Sequence, residues 1–437
     1  MRIAVVGTGH VGLTTCVSLA AFGHEVMGTD VEEEKIALLS KGVSPFFEPG
    51  IEELLKQEMD SGRLTFSADP SVAIPGAEVV FICVGTPPKV TGEASLIAIE
   101  AAARTVARHA EGRTVVVEKS TVPAGTAQRV RRTLVQERPE MANEFEVASN
   151  PEFLREGHAV KDSLDPDRIL VGAESEWARE VIRKVYQPIT AKGTPLIETD
   201  IATAELAKHA CNAFLALKIS FANALARICE LSDADVDAVV DVMGADARIG
   251  RAFLNAGLGW GGSCFPKDLQ AFQRLSERLG YPFPLLEEVT RINTEAVDSV
   301  VSKIEDALWN LEGKRIALLG LAFKPGTDDV RAAPALALAR RLIELDADVV
   351  GYDPEAMGAA KAEVPDLDTA PDAYEALLDA HCLVLCTEWD EFRNLDLERV
   401  KSQMAYPVVI DGRNMFEATE VEAKGFSYYP TGRRALK

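Results

Sequence analysis

The chain has 437 residues, 47% of them apolar and 26% charged, the make-up of a soluble globular protein with room for two or three domains. Forty-six Lys and Arg stand against 68 Asp and Glu, a formal charge of -22. That excludes nucleic acid or an anionic membrane as the main partner, and an anionic ligand would have to be met by local cations.

Seven scattered cysteines without paired spacing suit a reducing cytosol rather than a disulfide framework, and the six histidines form no metal-ligand pattern. Arg2 and the apolar run to Ala21 fit a strand, turn and helix better than a signal peptide. No later apolar run reaches membrane-spanning length. Residues 3–6, IAVV, read as a buried parallel strand. GTGHVG follows, then the helical stretch LTTCVSLAAFG and a second strand, HEVMGTD, ending in Asp30. Strand, glycines, helix, strand and acid in that order make a dinucleotide fingerprint. Gly7 serves the tight turn, Gly9 the approach of a pyrophosphate to the helix N-terminus, and Gly12 the packing of helix on strand. Asp30 would accept from ribose hydroxyls and repel a 2′-phosphate, which favours NAD over NADP; Lys35 is placed near the same ribose. Alternation continues through AEVVFICVG (77–85), TPP, a helix to about residue 108, and RTVVVEKSTVP. Thr86, Ser120 and Thr121 then lie just past the carboxyl ends of strands, where ligands of open α/β sheets collect. VASNPEFLREG supplies a further strand end, with Glu152, Arg155 and Glu156 as acid/base candidates beyond it.

From 199 to 231 there is no Gly or Pro, which predicts one helix of ~45 Å. Lys208 and Asn212 share a face of it. That face is otherwise small or apolar, a setting that would lower a buried lysine's hold on its proton. A new helix is expected from a capping signal at Ser232 or Asp233, and the following segment carries Arg248, Arg251, Phe253 and Asn255 toward GWGGSCFPKD (259–268). In that stretch Gly259, Gly261 and Gly262 allow unusual backbone angles and close approach to a ligand. Cys264 stands at the start of a helix, with Lys267 three and Asp268 four residues on. Helix dipole and ammonium both favour a thiolate, so a reactive thiol is expected.

GKRIALLGLAFKPGTDDVR (313–331) repeats the opening theme, and DADVVGYDP returns as a strand ending in Asp353. The expected fold is therefore α/β, with two Rossmann-like doubly wound domains (1–198 and 313–437) joined by a long central helix and a helical dimerisation region (199–312). The second loop carries AFKP in place of the glycine fingerprint, so it should bind something other than a dinucleotide, with Lys324, Arg331 and Arg413 as phosphate ligands.

GTGHVG with Asp30, VGTPP, EKSTVP, NPEFLREG, AELAKHACNA, GWGGSCFPKD, GLAFKPGTDDVR and DGRN, in this order over essentially the whole chain, resemble the UDP-glucose/GDP-mannose dehydrogenase family. The resemblance implies a metal-free oxidation of a nucleotide sugar at its C6 alcohol to the carboxylate, with two NAD per turnover, by a cytoplasmic homodimer or higher homo-oligomer. It implies that Lys208 and Asn212 hold the C6 oxygen, with Asp268 and a water as relay. Cys264 would form a thiohemiacetal and then a thioester, Glu152 would act as acid/base, and Thr121 would hold the hydrolytic water. His10, Val11, Glu156, Lys267 and Arg331 join the glycines, Asp30, Lys35, Thr86, Ser120 and Thr121 as expected cofactor contacts. Expected substrate contacts are Glu152, Phe153, Leu154, Lys208, Asn212, Arg248, Phe253, Asn255, Gly257, Gly261, Lys324 and Arg413, with Arg248 reaching across a dimer. NPEFLREGHAVKDSLDPDRILVG and Trp260 look more like the branch that oxidises UDP-glucose, with GDP-mannose and UDP-N-acetylhexosamines as alternatives. A two-electron β-hydroxyacid dehydrogenase would lack both GGSCFPKD and residues 313–437.

Overall fold

The computed structural model describes residues 1–435. The chain forms two compact units, the first from residues 1–211 with 270–281, the second from 212–269 with 282 onward.

The opening apolar run becomes β1 (Arg2–Val6), with Ile3, Ala4 and Val5 fully buried. Neighbouring residues of a strand point to opposite faces. Ile3 and Val5 enter one core, with Leu13, Cys16 and Val17 of helix α1 (His10–Ala21). Ala4 enters a second core with Val80, Val116 and Val130. A strand buried on both faces has no polar position, which is why IAVV does not alternate. Each fully buried Val, Ile or Leu side chain here contributes roughly 1.5–3 kcal/mol.

The sheet continues through β2 (Glu25–Thr29), β3 (Leu64–Phe66), β4 (Val79–Ile82), β5 (Thr114–Glu118), β6 (Phe145–Ser149), β7 (Ile169–Ala173) and β8 (Leu196–Thr199). Its order is β3-β2-β1-β4-β5-β6-β7-β8, parallel throughout except between β6 and β7. Glycine punctuation and strand alternation point to the parallel part. The antiparallel β7 and the edge strand β8 extend the sheet beyond what those signals covered.

The second unit repeats the arrangement with β9 (Arg315–Leu319), β10 (Asp348–Tyr352), β11 (Asp368–Thr369), β12 (Cys382–Leu385), β13 (Val408–Asp411) and β14 (Ser427–Pro430). The order is β11-β10-β9-β12-β13-β14, all parallel. Alternate residues of β9 again divide between two cores, Ile316 and Leu318 on one side and Ala317 and Leu319 on the other. Cys382 and Cys386 are core residues of this sheet and its end.

Three further helices matter for the site. One after β5, α2, covers Thr126–Glu137. The long helix α3 runs unbroken over Ile201–Ser232. It is followed by α4 (Val236–Ala245), whose start differs from the expected one. Ser232 is still helical and its hydroxyl donates back to the Ile228 carbonyl, while Asp233 takes φ 55°. Asp235 is the cap, accepting from the N–H groups of Asp237 and Ala238. No described helix is long and apolar enough to cross a membrane.

Candidate active site

In the first unit, the turn after β1 is built as the glycines require. A Cβ on Gly12 would stand 1.8 Å from the Gly7 carbonyl oxygen, so α1 packs against the turn only because that atom is missing. Gly9 differs: its φ is -70°, and nothing lies within 4 Å of where a Cβ would project. No side chain caps α1 and its first turn holds no acid, which leaves the helix N-terminus open to an anion. Asp30, at the end of β2, accepts from the Thr8 N–H at 2.7 Å, the Thr8 hydroxyl at 3.0 Å and the Glu32 N–H at 3.1 Å. Lys35 reaches the same carboxylate at 3.3 Å and Glu32 at 2.7 Å. Burial pushes the Asp30 carboxyl up, but the N–H groups of Thr8 and Glu32 together with Lys35 hold it below the usual range. An ionised acid beside an uncapped, glycine-lined helix start fits NAD.

The ends of β4 and β5 are stitched together. The Thr86 hydroxyl donates to the Thr121 carbonyl at 3.0 Å, and the Ser120 hydroxyl to the Val84 carbonyl at 2.7 Å. Past β6, Glu152 and Lys208 are both buried, and their charged atoms lie 3.2 Å apart. The face of α3 that carries Lys208 is thus not purely apolar, because Glu152 supplies a counter-charge. The second oxygen of Glu152 accepts the Leu154 N–H at 2.6 Å, and the Phe153 ring lies 5.2 Å from the Lys208 ammonium. Arg155, read as a neighbour of these acids, is drawn away to an exposed two-pronged pair with Asp162 at 2.7 and 2.8 Å.

Several supporting residues escaped the sequence reading. Glu48 accepts the Gly157 and Ala159 N–H groups, both at 2.7 Å, fixing the loop that holds Glu152 and Glu156. Phe46 stacks on His10, itself an expected cofactor contact, with 3.7 Å between ring centres. Glu205, one turn before Lys208, accepts the N–H groups of Gly125 and Ala127 at 2.6 and 2.9 Å. The loop bearing Ser120 and Thr121 is thereby tied to the helix bearing Lys208. Only Glu205 carried a usable signal, its i−3 spacing from Lys208.

In the second unit, Asn212 follows on α3 one turn after Lys208. Its amide donates to Asp268 at 2.6 Å, and Lys267 reaches the other Asp268 oxygen at 2.6 Å. Asp268 is 1% and Asn212 5% exposed, so their hydrogen bond is shielded from water, while Lys267 reaches out to the surface. Cys264 immediately precedes α5 (Phe265–Arg278); its carbonyl accepts the Asp268 N–H at 2.9 Å, and its sulfur lies 3.6 Å from the Ser263 hydroxyl. Thiol and carboxylate are therefore held one helical turn apart.

The glycines before Cys264 serve close packing of the chain on itself. Gly262 takes φ 83°, and a Cβ there would strike the Phe323 ring at 2.8 Å. At Gly261 the obstacle would be the Ala332 carbonyl, and at Gly257 the Gly412 carbonyl and Arg413. Gly261 and Gly262 thus pack on the loop after β9, and Gly257 on the turn after β13 that carries Arg413. Asn293 clamps the loop from α6 (Pro284–Leu308), accepting from the Trp260 N–H at 2.7 Å and donating to its carbonyl at 2.9 Å. The Trp260 indole donates to Ser220 on α3 at 3.0 Å.

The other expected contacts have partners of their own. Phe253 takes φ 63° with its ring 6.5 Å from Phe265, and Asn255 accepts from Arg251. Lys324 lies near the Phe323 ring, Arg331 forks onto Asp329, and Arg413 donates to the Cys386 carbonyl at 2.7 Å. Arg248 is bound to Asp246, and its side chain is 89% exposed.

Comparison with known proteins agrees with this geometry. The NAD-binding domain of the UDP-glucose/GDP-mannose dehydrogenase family matches residues 1–190, its central domain 202–295 and its UDP-binding domain 317–418. A UDP-glucose 6-dehydrogenase of Rhizobium meliloti is 45% identical, covering 99% of this chain and all of the relative. One from Bacillus subtilis is 43% identical, covering all of this chain and 94% of the relative. The solved structure of a UDP-glucose dehydrogenase from Pyrobaculum islandicum superposes with a TM-score of 0.91 at 40% identity, over 99% of this chain and 98% of the other. The chain belongs to the UDP-glucose/GDP-mannose dehydrogenase family and is an NAD-binding oxidoreductase.

Proposed function

We propose that this protein oxidises the C6 hydroxyl of UDP-glucose to the carboxylate in two two-electron steps, with Cys264 as covalent nucleophile. The observation that carries the reading is the buried Asn212–Asp268 pair, joined by Lys267, with Cys264 one turn before Asp268. The relatives named as UDP-glucose dehydrogenases over their full lengths favour glucose as the sugar.

NAD, when bound, supplies the hydride acceptor for both oxidations. Gly7, Gly9, His10, Val11, Gly12, Asp30, Lys35, Thr86, Ser120, Thr121, Glu156, Lys267 and Arg331 are its proposed contacts. Lys208 and Asn212 hold the C6 oxygen, and Asp268 with a water carries its proton away, so loss of hydride from carbon leaves an aldehyde. The Cys264 sulfur adds to that aldehyde carbon while the oxygen takes a proton, giving a thiohemiacetal. A second loss of hydride and proton gives a thioester. Water held by Thr121 attacks with Glu152 as acid/base; the C–S bond breaks, and thiol and carboxylate are released. Phe153, Leu154, Phe253, Asn255, Gly257, Gly261, Lys324 and Arg413 surround the nucleotide sugar.

The three segments 1–198, 199–312 and 313–437 then serve cofactor binding, catalysis with dimerisation, and sugar-nucleotide binding. A homodimer is supported by Phe214, Phe221 and Ile228, exposed seven residues apart on α3 with Leu231 beyond them. Arg248, exposed and paired only with its neighbour Asp246, is proposed to reach a partner's substrate. A cytoplasmic setting suits cysteines that form no disulfide among the described residues.

The test is the NADH yield per limiting UDP-glucose, with GDP-mannose run beside it. Two NADH per UDP-glucose with uronate formed is expected. One NADH per sugar would remove the role given to Cys264, and two per GDP-mannose alone would correct the sugar. In the same assay Cys264→Ser should lower uronate formation by at least about a thousandfold.

A further inference from the structure

The first unit contains a cavity of about 130 Å³ that none of the steps above uses. Its walls are the loop after β4, the first turn of α2 and the C-terminal half of α5. Four cations line it, Lys89, Arg129, Arg274 and Arg278, against the single carboxylate of Glu93. In a chain of net charge -22 that concentration runs against the composition. Remote acids are screened over a Debye length of about 8–10 Å, and Glu277 and Glu93 oppose only Arg274 and Arg278, so the local potential stays positive.

Two of the four are uncommitted. The Lys89 ammonium and the Arg129 guanidinium make no hydrogen bond or ion pair with any described residue. Arg274 is aimed by its Nε, which donates to the Thr91 carbonyl at 2.8 Å, while its Nη1 pairs with Glu277 at 2.7 Å. Arg278 touches Glu93 only at 3.9 Å, too far for a hydrogen bond. The N–H groups of Gly125 and Ala127 at the start of α2 are already taken by Glu205, so an anion here would be held by side chains. Between the cations lie Leu96 and the buried Leu275, an apolar floor that suits the flat face of a ring.

We propose that this cavity binds a phosphate-bearing small molecule, its anionic head between Lys89 and Arg129, in addition to NAD and the nucleotide sugar. The shared chemistry is a pyrophosphate group, whether free or carried by a nucleotide.

The experiment is a calorimetric titration of pyrophosphate into the full chain saturated with NAD and UDP, so that the glycine loop and the UDP-binding domain are filled. Saturable binding is expected, weakened by added salt and at least tenfold weaker in Lys89→Gln/Arg129→Gln. Both side chains are exposed, so the variant should keep its melting temperature and its NAD affinity. Absence of saturable binding at millimolar pyrophosphate overturns the proposal, as does equal affinity in the double variant. ADP in place of pyrophosphate separates the sources: tighter binding puts a nucleoside on the leucine floor, and equal binding assigns the site to the anion alone.

Discussion

β2 and β10 occupy the same place in their sheets, beside the first strand of each unit, and an aspartate follows each of them. Asp30 keeps one oxygen partly open: its Oδ2 takes the Thr8 N–H, the Thr8 hydroxyl and Lys35, its Oδ1 only the Glu32 N–H, and 8% of its side chain is exposed. Asp353 is spent inside its own unit. It accepts from the N–H groups of Leu321, Ala322, Glu355 and Ala356 and from the Trp389 indole, all at 2.8–3.1 Å, and is 1% exposed. The turns before these acids differ in parallel. Gly7 and Gly320 follow β1 and β9 with φ of 92° and 93°. Two residues on, Gly9 borders open space while its counterpart Ala322 is buried and bonded to Asp353. One strand-and-turn plan thus yields a ligand site where donors and space are left over, and a sealed turn where the chain uses them itself.

Asp353→Ala should give the largest effect. Removing the carboxylate strands the buried N–H groups of Leu321, Ala322 and Ala356 and takes the acceptor from two part-buried donors, a loss of about 3–5 kcal/mol in unfolding free energy. NAD affinity should stay as it was, since none of those donors lies in the first unit. Denaturant unfolding and a cofactor titration on the same variant check both halves. A cost under about 1 kcal/mol would mean the loop finds other acceptors and the acid is not what seals it.

Asp30→Ala reverses the pattern. NAD affinity should fall about ten- to a hundredfold, or roughly 1.4–2.7 kcal/mol, while stability changes less than that. Calorimetric titration with unchanged affinity would refute the assignment of Asp30 to the ribose. The depressed Asp30 carboxyl adds stability above the ordinary aspartate range, and that stability is lost as pH falls through its folded value.

Gly9→Ala sharpens the comparison by giving the first unit the residue the second already has. With φ of -70° and no atom within 4 Å, the methyl should leave folding within about 0.5 kcal/mol. It should weaken NAD about tenfold, some 1.4 kcal/mol, by occupying the approach of the phosphates. Unchanged NAD affinity would show that the open space at Gly9 is not where the cofactor lies.

These contrasts also show what the sequence exposes and what it hides. The turn glycines, the acids after β2 and β10 and the Cys264 stretch lie within short windows whose spacing maps onto one strand or one helical turn. The half-repeat of 2–30 in 313–353 was legible for the same reason. Glu48 and Asn293 were not, and Glu205 only through its place one turn before Lys208. Each acts on backbone groups far away in the chain, Glu48 on residues 109 and 111 positions on, and no local pattern marks an acceptor for a distant N–H. The Asp235 cap was misplaced because two earlier residues, Ser232 and Asp233, offer the same chemistry, and only the length of α3 decides between them.

β5 and β13 make a second matched pair, and its effect shows only as the pH is moved. Asp411 ends β13 and is satisfied by the N–H groups of Arg413 and Phe416 and the Tyr428 hydroxyl. Glu118 ends β5, fully buried, with no hydrogen bond of ordinary length; Glu205 lies close enough for charge on one to oppose charge on the other. Burial, and then Glu205, push the Glu118 carboxyl well above the usual range. A raised folded value means the native state keeps a proton that the unfolded chain has released. That stability is complete below the ordinary glutamate value of about 4.3 and declines as pH rises toward the folded value, by about 1.4 kcal/mol per pH unit for one proton. Glu118→Gln keeps the shape and has no proton to lose. Across pH 5 to 7, thermal unfolding should therefore show the variant gaining on the wild type with rising pH. A gap that does not move with pH would mean Glu118 is ionised in the fold. Asp411→Asn should be destabilising, because an amide group would turn donors toward donors at an acid its own loop has fully used.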